Sequence, residues 1–271
     1  MTQSHDLQLH ITQLQDIRNI LNAMKNLAFI EIHKLSQNQA SQQQATGHIH
    51  SAMMEVLHGY PDLNPQRYNA IQVLLVLGSE RGFCGDFNDR LLAAAEKIPH
   101  TTAIAVGNRL VNRLPSTCLN IQNTLAGANV SEEIPVCVNQ LAGLIQSLKK
   151  TSPSFALTVL YHDKESSELC NRSLWPVNAA SAPQALDNPP ILQLPPQQLF
   201  TQLAGHYWFV MLNQLLQDSL LAENHKRLQH LEGAVQHLDN ETARLHRKAQ
   251  IYRQEEITEE IEVILLNSDN I

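Results

Sequence analysis

Glycine and aromatic residues are scarce in this 271-residue chain, which has 10 Gly and only 5% Phe, Trp and Tyr. The shortage is uneven. Residues 1–46 contain neither Gly nor Pro, and Pro is absent from 197 to 271. Helix breakers therefore collect in the middle, which divides the chain into a helical arm, a folded centre and a second helical arm. A surplus of basic charge is also missing: the formal charge is −7. That argues against a general electrostatic grip on nucleic acid, which needs Lys and Arg massed on one surface. No stretch approaches the ~20 apolar residues of a membrane span, so any membrane association should be peripheral. The four cysteines, Cys84, Cys118, Cys137 and Cys170, show no C-x-x-C or ligand-like spacing, and read as reduced thiols rather than a metal or redox site. The opening "MTQSHDLQLH" has neither the basic and apolar build of a secretory signal nor the Arg-rich character of a transit peptide.

What is present is periodicity. In the first arm Leu7, Ile11, Leu14, Ile17, Leu21, Met24, Ala28, Ile32 and Leu35 recur at spacings of three and four, the seam of a helix that packs on another helix. A helix from about residue 5 to about 57 would run about 75 Å at the standard rise, with Gly47 as a possible interruption. The last arm carries Leu221, Leu228, Leu231, Val235, Leu238, Leu245, Ala249 and Tyr252 on a heptad seam, with Asn224 and Thr242 as its polar members. Beyond Tyr252 the phase slips to Ile257, Ile261 and Ile264, which should alter the supercoil. Two amphipathic arms at opposite ends of one chain bury their stripes most economically as an antiparallel pair.

The centre alternates. "AIQVLLVLG", "TTAIAVG", "FALTVLYH" and "CNRSLWPV" read as strands, the last two as a hairpin across "DKESSE". "FNDRLLAAAEKI", "NRLVNRL" and "IPVCVNQLAGLIQSLKK" read as helices, and "AASAPQALDNPPILQLPP" as a Pro-rich linker. The expected fold is α/β with long helices: an antiparallel coiled coil of the terminal helices and a small central Rossmann-like α/β domain. The domain boundaries are 1–58, 59–196 and 197–271.

The glycine turn "VLGSERGFCGDFN" poses the chemical question. It lacks the Lys and hydroxyl of a Walker loop, since no Lys lies between Glu80 and Arg90, and Gly78 and Gly82 are too far apart for a dinucleotide fingerprint. It reads as a tight turn from strand to helix, with Gly82 and Gly85 supplying positive φ and Asp86 or Asn88 near the helix start. No G-x-S-x-G elbow occurs. His225, His230, His237 and His246 never fall at i, i+4, and the thirteen histidines give no metal spacing. Neither a catalytic constellation nor a cofactor site is expected.

"GSERGFCGDFN" resembles the S-D-R-G-L-C-G-x-F-N segment of F-type ATP synthase gamma subunits through Ser79, Arg81, Gly82, Cys84, Gly85, Phe87 and Asn88. "NILNAMKNLAFIE" is similar to the family's K-I-T-K-A-M-K-M-V-A-A-S-K through Ile20, Ala23, Met24, Lys25 and Ala28. Glu223, Arg227 and Ala234 match S-E-x-x-x-R-M-x-A-M-x-x-A, and Arg253, Gln254, Ile257, Thr258, Glu260 and Ile264 match R-Q-A-A-I-T-x-E-L-x-E-I. Family lysines are replaced by Asn19, Asn22 and Glu31, family alanines by Glu255 and Glu256, and small residues by His230, Leu231 and His237. These departures imply fewer basic contacts with acidic parts of the ring and a divergent branch, such as an alternative bacterial F-type ATPase.

The resemblance implies a non-catalytic central-stalk rotor, peripheral on the cytoplasmic side of a bacterial plasma membrane. Its partners would be the alpha and beta subunits, the epsilon subunit and the membrane rotor c-ring. It further implies that Arg253 and Gln254, with Thr258, touch a loop of one beta subunit, and that Met24 and Lys25 do so at a matching height on the first arm. The alternatives are a small nucleotide-binding α/β protein with helical dimerisation arms, and a self-associating coiled-coil scaffold.

Overall fold

A computed structural model describes residues 2–64, 70–152, 154–164, 168–177 and 191–268. The elements in chain order are α1 (Thr2–Gly59), β1 (Ile71–Leu77), α2 (Phe87–Ala95), β2 (Thr102–Val106), α3 (Asn108–Val111), β3 (Ile121–Leu125), α4 (Ile134–Thr151), β4 (Phe155–His162), β5 (Leu169–Trp175) and α5 (Pro196–Ser268). Contacts divide the described residues into two compact units. One holds α1 through Ala28 with α5 from Leu228 onward, and the other runs from Phe29 to Arg227.

In the second unit a five-stranded sheet has the order β3-β2-β1-β4-β5. β1 pairs in parallel with β2 and β4, β2 in parallel with β3, and β5 closes the edge as the antiparallel hairpin partner of β4. β1 and β2 are buried on both faces, which is why they read as unbroken apolar runs rather than alternating ones. Leu74 and Val76 face Phe87, Leu91 and Leu110 of α2 and α3. Val73, Leu75 and Leu77 face the other side, where α4 (Ile134, Val138, Leu141), α1 (Met53, Met54, Leu57) and α5 (Leu212, Leu215, Leu216) complete the main core. Gly47 does not interrupt α1; a Cβ there would meet nothing within 4 Å, so the helix simply carries it. β3 leaves no sign in the sequence, because "IQNTL" is five residues of mixed polarity, two exposed and none buried. Most of the Pro-rich stretch lies outside the described residues, as does the centre of the β4–β5 turn.

In the first unit the two helices run antiparallel. Leu21 packs against Leu231 and Val235, with Met24, Ala234 and Leu238 around them, while Arg18 donates to Asp239 at 2.5 Å. On α5 the inward positions are Leu228, Leu231, Val235, Leu238, Thr242, Leu245, Ala249, Tyr252 and Glu256, an unbroken heptad. On α1 they are Leu7, Ile11, Leu14, Arg18, Leu21, Lys25 and Ala28. Ile17, expected in the seam, is 46% exposed. The true heptad step from Leu14 is four residues, so Arg18 takes the slot, lays its aliphatic stem along the seam and sends its guanidinium to the rim. Ile257, Ile261 and Ile264 are exposed too, so the phase slip ends the buried seam rather than bending it.

Candidate functional site

A buried, hydrogen-bonded polar constellation lies where the glycine turn meets α5, wholly inside the second unit. β1 ends at Leu77, and Ser79 is buried immediately after it. Asn88, one residue into α2, returns to hold it: the Ser79 N–H donates to Asn88 Oδ1 at 3.0 Å, and Asn88 Nδ2 donates to Ser79 Oγ at 2.8 Å. Asp86 occupies the cap position of α2 without a side-chain cap bond. The chain corners through two left-handed residues, Phe83 (φ 63°) and Gly85 (φ 59°). Gly82 lies outside that region, so its expected positive φ belongs to Phe83, a non-glycine residue that must be held there by its surroundings.

Those surroundings come from one turn of α5. Glu223, Asn224 and Arg227 are all under 6% exposed. Glu223 accepts the N–H groups of Glu80 and Arg81, each at 3.4 Å. Arg227 donates to Gly82 O at 3.2 Å, to Asn224 Oδ1 at 2.7 Å and to Glu223, and its Nη2 lies 3.5 Å from Cys84 Sγ. Ser219 adds a bond to Leu77 O at 3.4 Å. The i, i+4 spacing of Glu223 and Arg227 sets them one above the other on the helix face. A buried pair of this kind does little for net stability, but removing one member costs about 3–5 kcal/mol because the other charge is left unpaired.

Glu80 spans the far side of the turn. Its carboxylate accepts the N–H of Asn108 at 2.8 Å, the N–H of Gly127 at 2.7 Å and Asn108 Nδ2 at 2.5 Å. Both N–H groups lie just beyond the carboxyl ends of β2 and β3, where doubly wound sheets usually bind ligands. Gly107 makes the close approach possible: it has φ 109°, and a Cβ there would lie 2.6 Å from Ser79 O. The N–H groups that a phosphate would need at this turn are thus engaged by the chain's own carboxylates.

Burial pushes the Glu223 carboxyl up from its ordinary value, against the pull of Arg227 and the two N–H donors. Burial, helped by the Glu223 charge, likewise pushes the Cys84 thiol up to about 12. A thiol so poised is neutral at physiological pH and is no nucleophile.

The residues expected to touch partners lie elsewhere. Met24 is half-buried against Leu21, Leu231 and Val235, and Lys25 is half-buried at a seam position. Arg253, Gln254 and Thr258 are exposed, and the Thr258 hydroxyl donates to Gln254 O at 2.8 Å. Met24 and Arg253 do not share a height: eighteen residues separate Val235 from Arg253, about 27 Å of helix.

A family model described as ATP synthase matches residues 3–266, nearly the whole chain. The chain belongs to the ATP synthase gamma-subunit family. Solved structures agree on the fold. A chain of the Euglena gracilis mitochondrial ATP synthase OSCP/F1/c-ring assembly has a TM-score of 0.68 at 13% identity, over 97% of this chain and 92% of that one. A chain of the Euglena gracilis rotor gives 0.65 at 12% identity, over 94% and 98%. One from the central stalk and c-ring of the Tetrahymena thermophila mitochondrial enzyme gives 0.58 at 13%, over 79% and 99%. No curated protein sequence matches.

Glu31, read as standing in place of a family lysine, is 8% exposed and accepts the Ser131 N–H at 3.1 Å, ahead of α4. Lys34 donates to both Glu31, at 3.2 Å, and Glu132, at 2.9 Å. Nothing in the sequence of the turn singles out Glu80. The i, i+4 pair of Glu223 and Arg227 was a legible signal for the α5 half of the site; nothing local marked the N–H groups it would meet.

Proposed function

We propose that this gamma-family central-stalk chain is a non-catalytic rotor that couples ion-driven rotation to ATP synthesis or hydrolysis on partner beta subunits. The observation that carries the proposal is the surface of the first unit. Once the seam is buried, α1 still exposes Leu9, Ile17, Ile20 and Leu27, and α5 exposes Ile251, Ile257, Ile261, Val263, Ile264 and Leu265. A two-helix shaft that keeps an apolar stripe on the outer side of α1 and apolar residues round the end of α5 is suited to contact with a protein collar. An asymmetric shaft biases each surrounding site toward a different conformation, and turning it moves all of them through the sequence.

The partners in this reading are the alpha and beta subunits, epsilon and the membrane rotor ring. The names of the similar structures, which include F1, c-ring, rotor and central stalk, support it. Arg253 and Gln254 are the contacts with a beta-subunit loop, Arg253 as a charge-assisted donor; Thr258 follows one turn on, and Met24 and Lys25 are weaker candidates for a separate contact at another height. The domain limits in this scheme are 1–58, 59–196 and 197–271. No helix among the described residues is long and apolar enough to cross a membrane, which fits a peripheral subunit. The cytoplasmic face of a bacterial plasma membrane is the proposed setting, on the divergence of both arms from the family pattern.

The test is affinity purification of the tagged chain from its native cell. Alpha, beta and epsilon subunits should accompany it, and a tagged chain that returns alone defeats the reading. Arg253→Glu in the recovered complex should lower ion pumping per ATP hydrolysed.

A further inference from the structure

The second unit contains a solvent-open apolar cavity that the rotor reading does not use. It has a volume of about 300 Å³ and lies between α4, the ends of β4 and β5, and the first turns of α5. Its walls are Phe155, Trp175, Trp208 and Phe209. The Trp175 and Trp208 rings are 5.3 Å apart and those of Phe155 and Trp208 6.2 Å apart. These are the chain's only two tryptophans, in a sequence with few aromatic residues of any kind.

The space opens to solvent, with Gln146, Lys149, Thr201, Gly205 and Phe209 of its lining exposed. Here small residues keep it open. Ala142, Ala204 and Gly205 line it, and a Cβ at Gly205 would meet nothing within 4 Å. The volume falls at the lower end of the range for small-molecule pockets, which are mostly apolar with a few polar groups at one side. Lys149 lines the rim with Gln146 and Thr201; it is exposed, and no carboxylate among the described residues pairs with it.

We propose that this cavity binds a small amphipathic anion: an apolar ring system or short acyl body among the aromatic side chains, with one carboxylate or sulfonate head at Lys149. The aromatic walls give area and ring stacking, and the free ammonium decides the sign of the head. The proposal is independent of the rotor assignment, since every residue it uses belongs to the second unit.

The test uses the full chain and anilinonaphthalene sulfonate, a fluorescent aromatic anion that accepts energy from tryptophan. Tryptophan emission should fall with saturation at one probe per chain. Octanoate should displace the probe about fivefold better than octylammonium, the difference expected from one exposed charge contact. Gly205→Phe should fill the space and abolish binding with the melting temperature preserved. Lys149→Gln, on the exposed rim, should weaken the probe about threefold, and it decides the matter if Gly205→Phe lowers the melting temperature. Probe binding that survives Gly205→Phe in a folded chain would overturn the site. Equal displacement by octanoate and octylammonium, or no effect of Lys149→Gln, would overturn the assignment of an anionic head.

Discussion

Glu223 and Glu80 brace the same turn in opposite senses: Glu223 accepts the backbone N–H of Glu80, while the side chain of Glu80 accepts the N–H groups of Asn108 and Gly127. The turn is held between α5 and the carboxyl edge of the sheet by two carboxylates, and each half predicts its own behaviour.

Arg227→Met should destabilise the purified chain by about 3–5 kcal/mol in urea unfolding, because it leaves Glu223 buried and uncompensated. Glu223→Gln combined with Arg227→Met should recover a large part of that loss. If the two losses simply add, the pair is not coupled as the geometry requires.

Alkaline pH should weaken the second unit through its thiols. Burial raises Cys84 from an ordinary 9.0 to about 12 and Cys137 to about 11. A group whose folded pKa is raised keeps its contribution below the unfolded value and loses it as pH rises toward the folded one. Each thiol should therefore remove about 1.4 kcal/mol per pH unit above pH 9, until its folded value is reached. Urea midpoints measured from pH 8 to 11 should fall less steeply in Cys84→Ala than in the parent chain. An unchanged slope would contradict the burial.

Two glycines should respond with opposite signs. Gly107→Ala places a Cβ 2.6 Å from Ser79 O at φ 109° and should cost more than about 1 kcal/mol. Gly47→Ala lies mid-helix with open space around it and should add about 0.5–1 kcal/mol. Thermal melts of the two variants would separate them at once.

In the coiled-coil unit, Leu231→Ala should cost about 2–5 kcal/mol, since Leu231 is 0% exposed. Leu27→Ala should cost almost nothing in the free chain, because Leu27 is largely exposed. Thr242 has a buried hydroxyl with no partner among the described residues, so Thr242→Val should raise stability by about 1 kcal/mol. A loss of stability in Thr242→Val would mean that the hydroxyl is satisfied.

The seam of α5 was readable because a heptad is a local pattern: Leu231, Val235 and Leu245 advertise their burial by spacing alone. Ile17 misled for the same reason. Spacings of three and four both suit a helix, and only the partner helix chooses between Ile17 and Arg18. The turn was legible as a turn, yet the positive φ sits on Phe83 rather than Gly82, since α5 holds the backbone there. The edge strand β3 has no sequence signal because it pairs on one side only, with Gln122 and Thr124 exposed and none of its five residues buried.

Local spacing along the chain determined the two helical arms, the buried strands and the site of the tight turn, because the periods of helix and strand are properties of the backbone itself. Which carboxylates turn inward was decided only in three dimensions. Glu31 and Glu80 look like any other acidic residues in sequence, and the spacing of Glu223 from Arg227 marks a pair without saying what it meets. Glu31 and Glu223 are buried and Glu80 is half-buried because the fold brings each of them orphan N–H groups from a segment tens of residues away, and a charge can leave water only where such donors wait for it.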